Sequence, residues 1–167
     1  MPLRALFVVA LHLLIAGCDE RPDQRSGADR YGISAVSPDD REMNAAIAEA
    51  RARMPELLTA LKQRSGAVTR FSVKARYATR SGEEHIWIGD ISYDGTSFAG
   101  RVENVPRDIE KLKYGDTVRI APSQISDWLY VEDGRLVGAF TMRVIYRRMP
   151  PAQQQAFRQQ LGHRLDW

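Results

Sequence analysis

Near residue 68 the spacing of apolar side chains changes from three or four to two. Before it, Met43, Ile47, Ala50 and Met54 fall on one helical face. After it, Phe71, Val73, Ala75 and Tyr77 alternate with Arg70, Ser72, Lys74 and Arg76. The first pattern buries one stripe of a helix and the second one face of a strand. A chain with both must pack helices against a sheet.

Local signals place the elements. Ser37 can cap a helix, Pro38 suits its first position, and Asp39 and Asp40 favour its positive end. Pro55 breaks or kinks that helix, Leu57, Leu58 and Leu61 carry a second one to about Arg64, and Gly66 stops it. After a turn at 80–83, Glu84 to Ser92 read as a strand, Asp94-Gly95 as a hairpin turn and Ser97 to Val102 as the returning strand. Asn104 to Tyr114 form a longer connection with room for a helical turn. Val118 with Ile120, then Asp127 to Val131, then Arg135 to Val137 after Asp133-Gly134 continue the strands. Phe140 to Arg148 fit either period; a helix starting after Gly138 is expected. Pro150-Pro151 precede a last helix carrying Ala152, Phe157 and Leu161, with Gly162 past its end. The fold expected is α+β: an antiparallel, curved or barrel-like sheet of about five or six strands, with N-terminal and C-terminal helices packed on it.

The start of the chain has a different character. Arg4 precedes an apolar run from Ala5 to Leu14, and Ile15-Ala16-Gly17-Cys18 follow. The run is too short to span a bilayer, which takes roughly 20 apolar residues, and has the form of an export signal. Its end resembles a bacterial lipobox. That resemblance implies a diacylglycerol on Cys18, removal of residues 1–17 and further acylation, palmitate included, of the new terminus. Acyl chains hold a protein on a membrane at about 0.8 kcal/mol per buried CH2. Residues 18–38 then read as a polar linker with a reach of roughly 20–25 Å, and 39–163 as the folded domain. Asp19 directly after the cysteine resembles an inner-membrane retention signal. The expected place is the bacterial cell envelope, anchored by lipid and facing the periplasm, on the inner membrane.

Cys18 is the chain's only cysteine, so a lipidated protein has no thiol for a disulfide or a thiolate centre. The fold must rest on its core, for which 44% hydrophobic residues suffice. Lys and Arg total 24 against 21 Asp and Glu, a balance too mild for a nucleic-acid partner. The basic stripe on the first strand and the C-terminal basics Arg143, Arg147, Arg148, Arg158 and Arg164 read as solvated faces.

Candidate chemistry is sparse. His85 is the best single residue, but a base or a metal ligand needs partners, and no ligand-spaced cluster accompanies it. Asp90, Asn104 and Asp127 near strand ends, with Trp87 and Trp128 as aromatic walls, could line a small-ligand pocket together with His85. Gly-rich phosphate loops and the Gly-x-Ser-x-Gly motif are missing. No catalytic set, metal or cofactor is expected.

Several separated motifs resemble one family. They are Glu84-His85-Ile86-Trp87; Gly100 with Asn104 and Pro106; Leu112-Lys113-Tyr114-Gly115-Asp116; Ile125-Ser126-Asp127-Trp128; and Glu132-Asp133-Gly134-Arg135-Leu136-Val137-Gly138 with Phe140-Thr141. In this order they look like the YegJ-like bacterial domain of unknown function, over about Asp39 to Gly162. The resemblance implies a fold unit, with some lipoprotein members, and carries over no catalytic residue. The functional expectation is a non-enzymatic, membrane-tethered interaction or ligand-binding domain whose partner is an envelope protein or a small ligand. The alternative is a small hydrolase or transferase using His85 with Asp90 or Asp127.

Overall fold

The computed structural model describes residues 37–64, 66–80 and 82–166. The leader, Cys18, Asp19 and the linker through residue 36 lie outside the described residues. Helix α1 (Arg41–Ala52) is capped by Asp40, whose carboxylate accepts the Met43 N–H at 3.0 Å. The start is thus three residues later than Ser37-Pro38 suggested. Ser37 instead closes a turn, its carbonyl accepting the Asp40 N–H at 3.0 Å. A carboxylate outcompetes a hydroxyl at the positive end of a helix. Helix α2 (Met54–Gln63) follows after Arg53, with Pro55 in its first turn, where no N–H partner is lost.

The strands are β1 (Val68–Thr79), β2 (Gly82–Tyr93), β3 (Phe98–Val102), β4 (Thr117–Ile120), β5 (Ile125–Glu132) and β6 (Arg135–Gly138). They form one antiparallel sheet in the order β4-β3-β2-β1-β5-β6. The sheet is open, so the barrel-like form does not occur: β4 and β6 are opposite edges. The C-terminal segment covers the β6 edge, where Leu136 donates to the Arg164 carbonyl at 3.0 Å. The 103–116 connection consists of bends and turns without a helix.

The main core lies on one face of this sheet. Val73, Ile88 and Trp128 share one rung there, Ala75 and Ile86 the next, and Met43, Ala50 and Leu57 close over them from α1 and α2. Burying each large apolar side chain contributes about 1.5–3 kcal/mol. Trp128 is fully buried at the centre. Its indole N–H donates to the Ala50 carbonyl at 2.7 Å, and its ring meets Phe140 edge-on at 5.3 Å.

Gly138 explains why the ambiguous stretch after it is helical. At φ +80° it turns the chain out of the sheet, and the Trp128 carbonyl and ring occupy the place of its missing Cβ. Ala139 follows at φ 57°, and α3 (Phe140–Arg148) begins. Helix α4 (Pro151–Leu161) ends at Gly162. The C-terminal arginines are not a free solvated face. Arg147 and Arg148 bind Glu42, Arg148 also binds Asp40, and Arg158 donates to the Tyr146 hydroxyl at 2.5 Å.

Candidate functional site on the polar face of the sheet

Antiparallel register puts Lys74 opposite Trp87 on β2 and opposite Asp127 on β5. Side chains in one rung share a face, so these three stand together on the side away from Trp128. The neighbouring rungs bring Ser72 with Gly89 on one side and Arg76 with His85 on the other. This face has its own smaller apolar patch, Leu129, Val131 and Leu136, against which Trp87, Met142 and Leu161 pack.

Asp127 is completely buried. Its Oδ1 accepts the N–H groups of Trp128 at 2.8 Å and Phe140 at 3.0 Å; its Oδ2 accepts the Thr141 N–H at 2.8 Å and the Thr141 hydroxyl at 2.6 Å. The carboxylate therefore caps the first turn of α3 from a strand, in place of a side chain at the N-cap residue Ala139. Burial pushes this carboxyl up, while the Thr141 bonds and Lys74 pull the other way. Lys74 donates to Thr141 Oγ1 at 3.4 Å and its ammonium lies 5.5 Å from the Trp87 ring centre. Burial lowers the Lys74 pKa, with Asp127 opposing.

A bulge shapes the other half. Pairing jumps from Lys74–Asp127 to Ala75–Ile125, which leaves Ser126 as the extra residue. Ser126 is fully buried, and its hydroxyl donates to the Lys74 carbonyl at 3.1 Å. His85 Nδ1 lies 2.8 Å from the same oxygen. In the tautomer with Nδ1 protonated, the ring donates to Ser126 while the hydroxyl serves the carbonyl, and Nε2 is left as an acceptor. His85 is on β2 and Ser126 on β5, so the imidazole crosses β1 between the Lys74 and Arg76 positions. Its pKa is lowered to about 4, first by burial and then by Lys74, Arg76 and Arg51. It is neutral at neutral pH.

Glu103 closes the far end. Its side chain lies across Gly89, in the space a Cβ would need, and Oε2 accepts from the Ser72 hydroxyl at 3.1 Å. Burial pushes the Glu103 carboxyl up, against the pull of Ser72 and Arg70.

Of the residues expected to line a pocket, His85, Trp87 and Asp127 share this face. Asn104 is buried beside it and accepts the Trp87 N–H at 2.7 Å, which holds the strand under the ring. Asp90 is exposed at a bulge of β2, at φ 50°, where it raises the Glu103 pKa. Trp128 points to the opposite face. Lys74, Ser126, Glu103 and Thr141 were not among the candidates. Lys74 and Ser72 belonged to the stripe expected to be solvated, yet Ser72 is 1% exposed. A hollow of about 490 Å³ along Val105, Ile109, Leu112 and Tyr114 holds none of the expected site residues. Among the described residues no group of His, Cys, Asp or Glu is placed to hold a metal, and no helix is long and apolar enough to cross a membrane.

Residues 40–165 match the family described as "Uncharacterized protein conserved in bacteria (DUF2314)". The chain belongs to this family. It is 28% identical to the uncharacterised protein YegJ of Escherichia coli over 104 residues, covering 62% of this chain and 67% of that one. It is also 35% identical over 66 residues to a putative ankyrin repeat protein of Neisseria meningitidis, covering 40% of this chain and 26%, about a quarter, of that protein. No solved structure matches it.

Proposed function

We propose that this protein is a non-enzymatic interaction or ligand-binding module of the bacterial cell envelope, held on the periplasmic side of the inner membrane by lipid on Cys18. One observation carries the binding half of this reading: the groups best suited to chemistry are already committed to holding the fold. Three of the four donors around Asp127 serve the start of α3, and the fourth is the Trp128 N–H of its own strand. Ser126 is fully buried, and its hydroxyl is held by a main-chain carbonyl as well as by His85. What remains toward solvent is a flat aromatic ring beside basic side chains, which suits recognition. The Ile15-Ala16-Gly17-Cys18 pattern supports the tether.

The alternative, a small hydrolase or transferase using His85 with Asp90 or Asp127, draws on the gathering of shifted groups on one face, a feature of active sites. It would need the carboxylate on His85, where Ser126 stands.

The test is envelope crosslinking and pull-down from cells making the full chain or its Cys18→Ser form, alongside labelling with a palmitate analogue. Label and membrane fractionation should be lost in Cys18→Ser, together with the crosslinked species. Full membrane retention of Cys18→Ser would overturn the tether. Turnover in a hydrolase screen that disappears in His85→Asn would overturn the non-enzymatic assignment.

A further inference from the structure

The polar face holds a cation whose donors are mostly unused. The Lys74 ammonium carries three N–H groups. Among the described residues it has one hydrogen-bond partner, the Thr141 hydroxyl at 3.4 Å, and that hydroxyl already serves Asp127 at 2.6 Å. Its other support is the face of Trp87. The anions within the protein are otherwise engaged. Asp127 is filled by its four donors, Glu103 takes the Ser72 hydroxyl, Glu83 pairs with Arg76 at 3.2 Å, and Glu84 accepts the N–H groups of Arg107 and Asp108 at 2.8 and 3.0 Å. One rung away, His85 has Nδ1 tied to Ser126, which leaves Nε2 to a ligand. Lys74 on β1 and His85 on β2 are diagonal neighbours on one face, and such pairs stand about 7–8 Å apart at the backbone, a gap that one carboxylate or phosphate-like group spans.

We propose that a small oxyanion group, a carboxylate or a phosphate-like group, binds on the sheet face between the Lys74 ammonium and His85 Nε2, beside the Trp87 ring. The site deepens the reading of this domain as a ligand-binding module and rests on it. Lys74 supplies the charge, Trp87 a flat wall, and His85 couples binding to pH. The groups acting on the imidazole are Lys74 and Arg76 from β1 and Arg51 from α1, all positive. Glu83 is drawn to Arg76, and Asp127 from β5 acts on Lys74. A bound anion offsets the positive field and lets Nε2 take a proton and donate to it. By linkage, whatever raises the affinity of His85 for a proton raises the affinity for the anion as the solution becomes more acidic.

Sulfate and formate stay ionised between about pH 7 and pH 5 and stand in for the two sources of the group. The full chain, purified in detergent, is titrated with each at constant ionic strength set with chloride. Binding is followed by Trp fluorescence and by the His85 ring protons. One or both anions should bind about tenfold more tightly at about pH 5 than at about pH 7, with the His85 titration moved up by about two units. Sulfate preference would assign a phosphate-like ligand and formate preference a carboxylate. His85→Asn should bind with no pH dependence, and Lys74→Met should lose at least tenfold in affinity. If Lys74→Met does not fold, the wild-type titration alone decides. A His85 titration unmoved by saturating sulfate and formate, or an equal response to chloride, overturns the oxyanion site. The binding-module reading then stands or falls on the envelope crosslinking, which does not depend on this face.

Discussion

The two faces of the central strands solve opposite problems with neighbouring residues. Trp128 and Asp127 are consecutive on β5 and both are completely buried. Trp128 enters the packing of α1 and α2, where its value is area and fit. Asp127 enters a polar layer, where its value is the number of donors it satisfies. The apolar face pays with cavities when cut, and the polar face with orphaned main-chain groups. The polar face holds the imidazole and buried carboxyls, so it should respond to acid, whereas the apolar face keeps tyrosines such as Tyr130, pushed up by burial.

Breaking the apolar face should have the largest effect. Trp128→Ala should cost about 3–5 kcal/mol, seen as a fall in the urea midpoint with unchanged slope. On the polar face, Asp127→Asn keeps the shape but turns an amide NH2 toward N–H donors. A loss of about 2–3 kcal/mol is expected, with faster amide exchange at Phe140 and Thr141. Equal exchange in both proteins would mean that the cap of α3 does not depend on charge.

Acid should separate the faces further. The His85 pKa is held down to about 4 in the folded protein, whereas an unfolded chain protonates near 6.5. As pH falls through that window the unfolded state gains a proton that the folded state refuses. Stability attributable to His85 is therefore full above about pH 6.5, declines toward about pH 4 and levels off below. Allowing for partial solvent screening, about 2 kcal/mol should be lost. Denaturation midpoints of His85→Asn should lack this component. Lys74→Met should change least, within about 1 kcal/mol, because it replaces a partly desolvated cation by an apolar chain of similar length. A loss above about 3 kcal/mol would show that Lys74 holds Asp127 in place.

The elements were legible because their signals are local. The period change near residue 68, the Asp94-Gly95 turn and the Pro and Gly residues at helix ends all act within a few positions. Asp94 shows this directly, its carboxylate accepting the Thr96 and Ser97 N–H groups at 2.9 and 2.8 Å. The polar face was only half legible. His85, Trp87 and Asp127 stand out by residue type, but their partners are set by register and by a bulge. Ser126 meets His85 across 41 positions, and Thr141 meets Asp127 across 14. Alternation alone made Ser72 and Lys74 look solvated, because nothing local shows that Glu103 and Thr141 fold over them. The helix over Phe140–Arg148 was ambiguous for the same reason: its cap stands on another strand.

The arginine fork at the start of the domain has a mechanical consequence. Arg148, at the end of α3, grips Asp40 and Glu42 at the beginning of α1. Any tension arriving along the chain at Ser37 reaches Asp40 first, and the fork hands part of it to α3. That helix is anchored through Asp127 to β5, in the middle of the half-sheet β1-β5-β6. Tension applied at Ser37 would therefore load α1 and α3 together, rather than α1 alone.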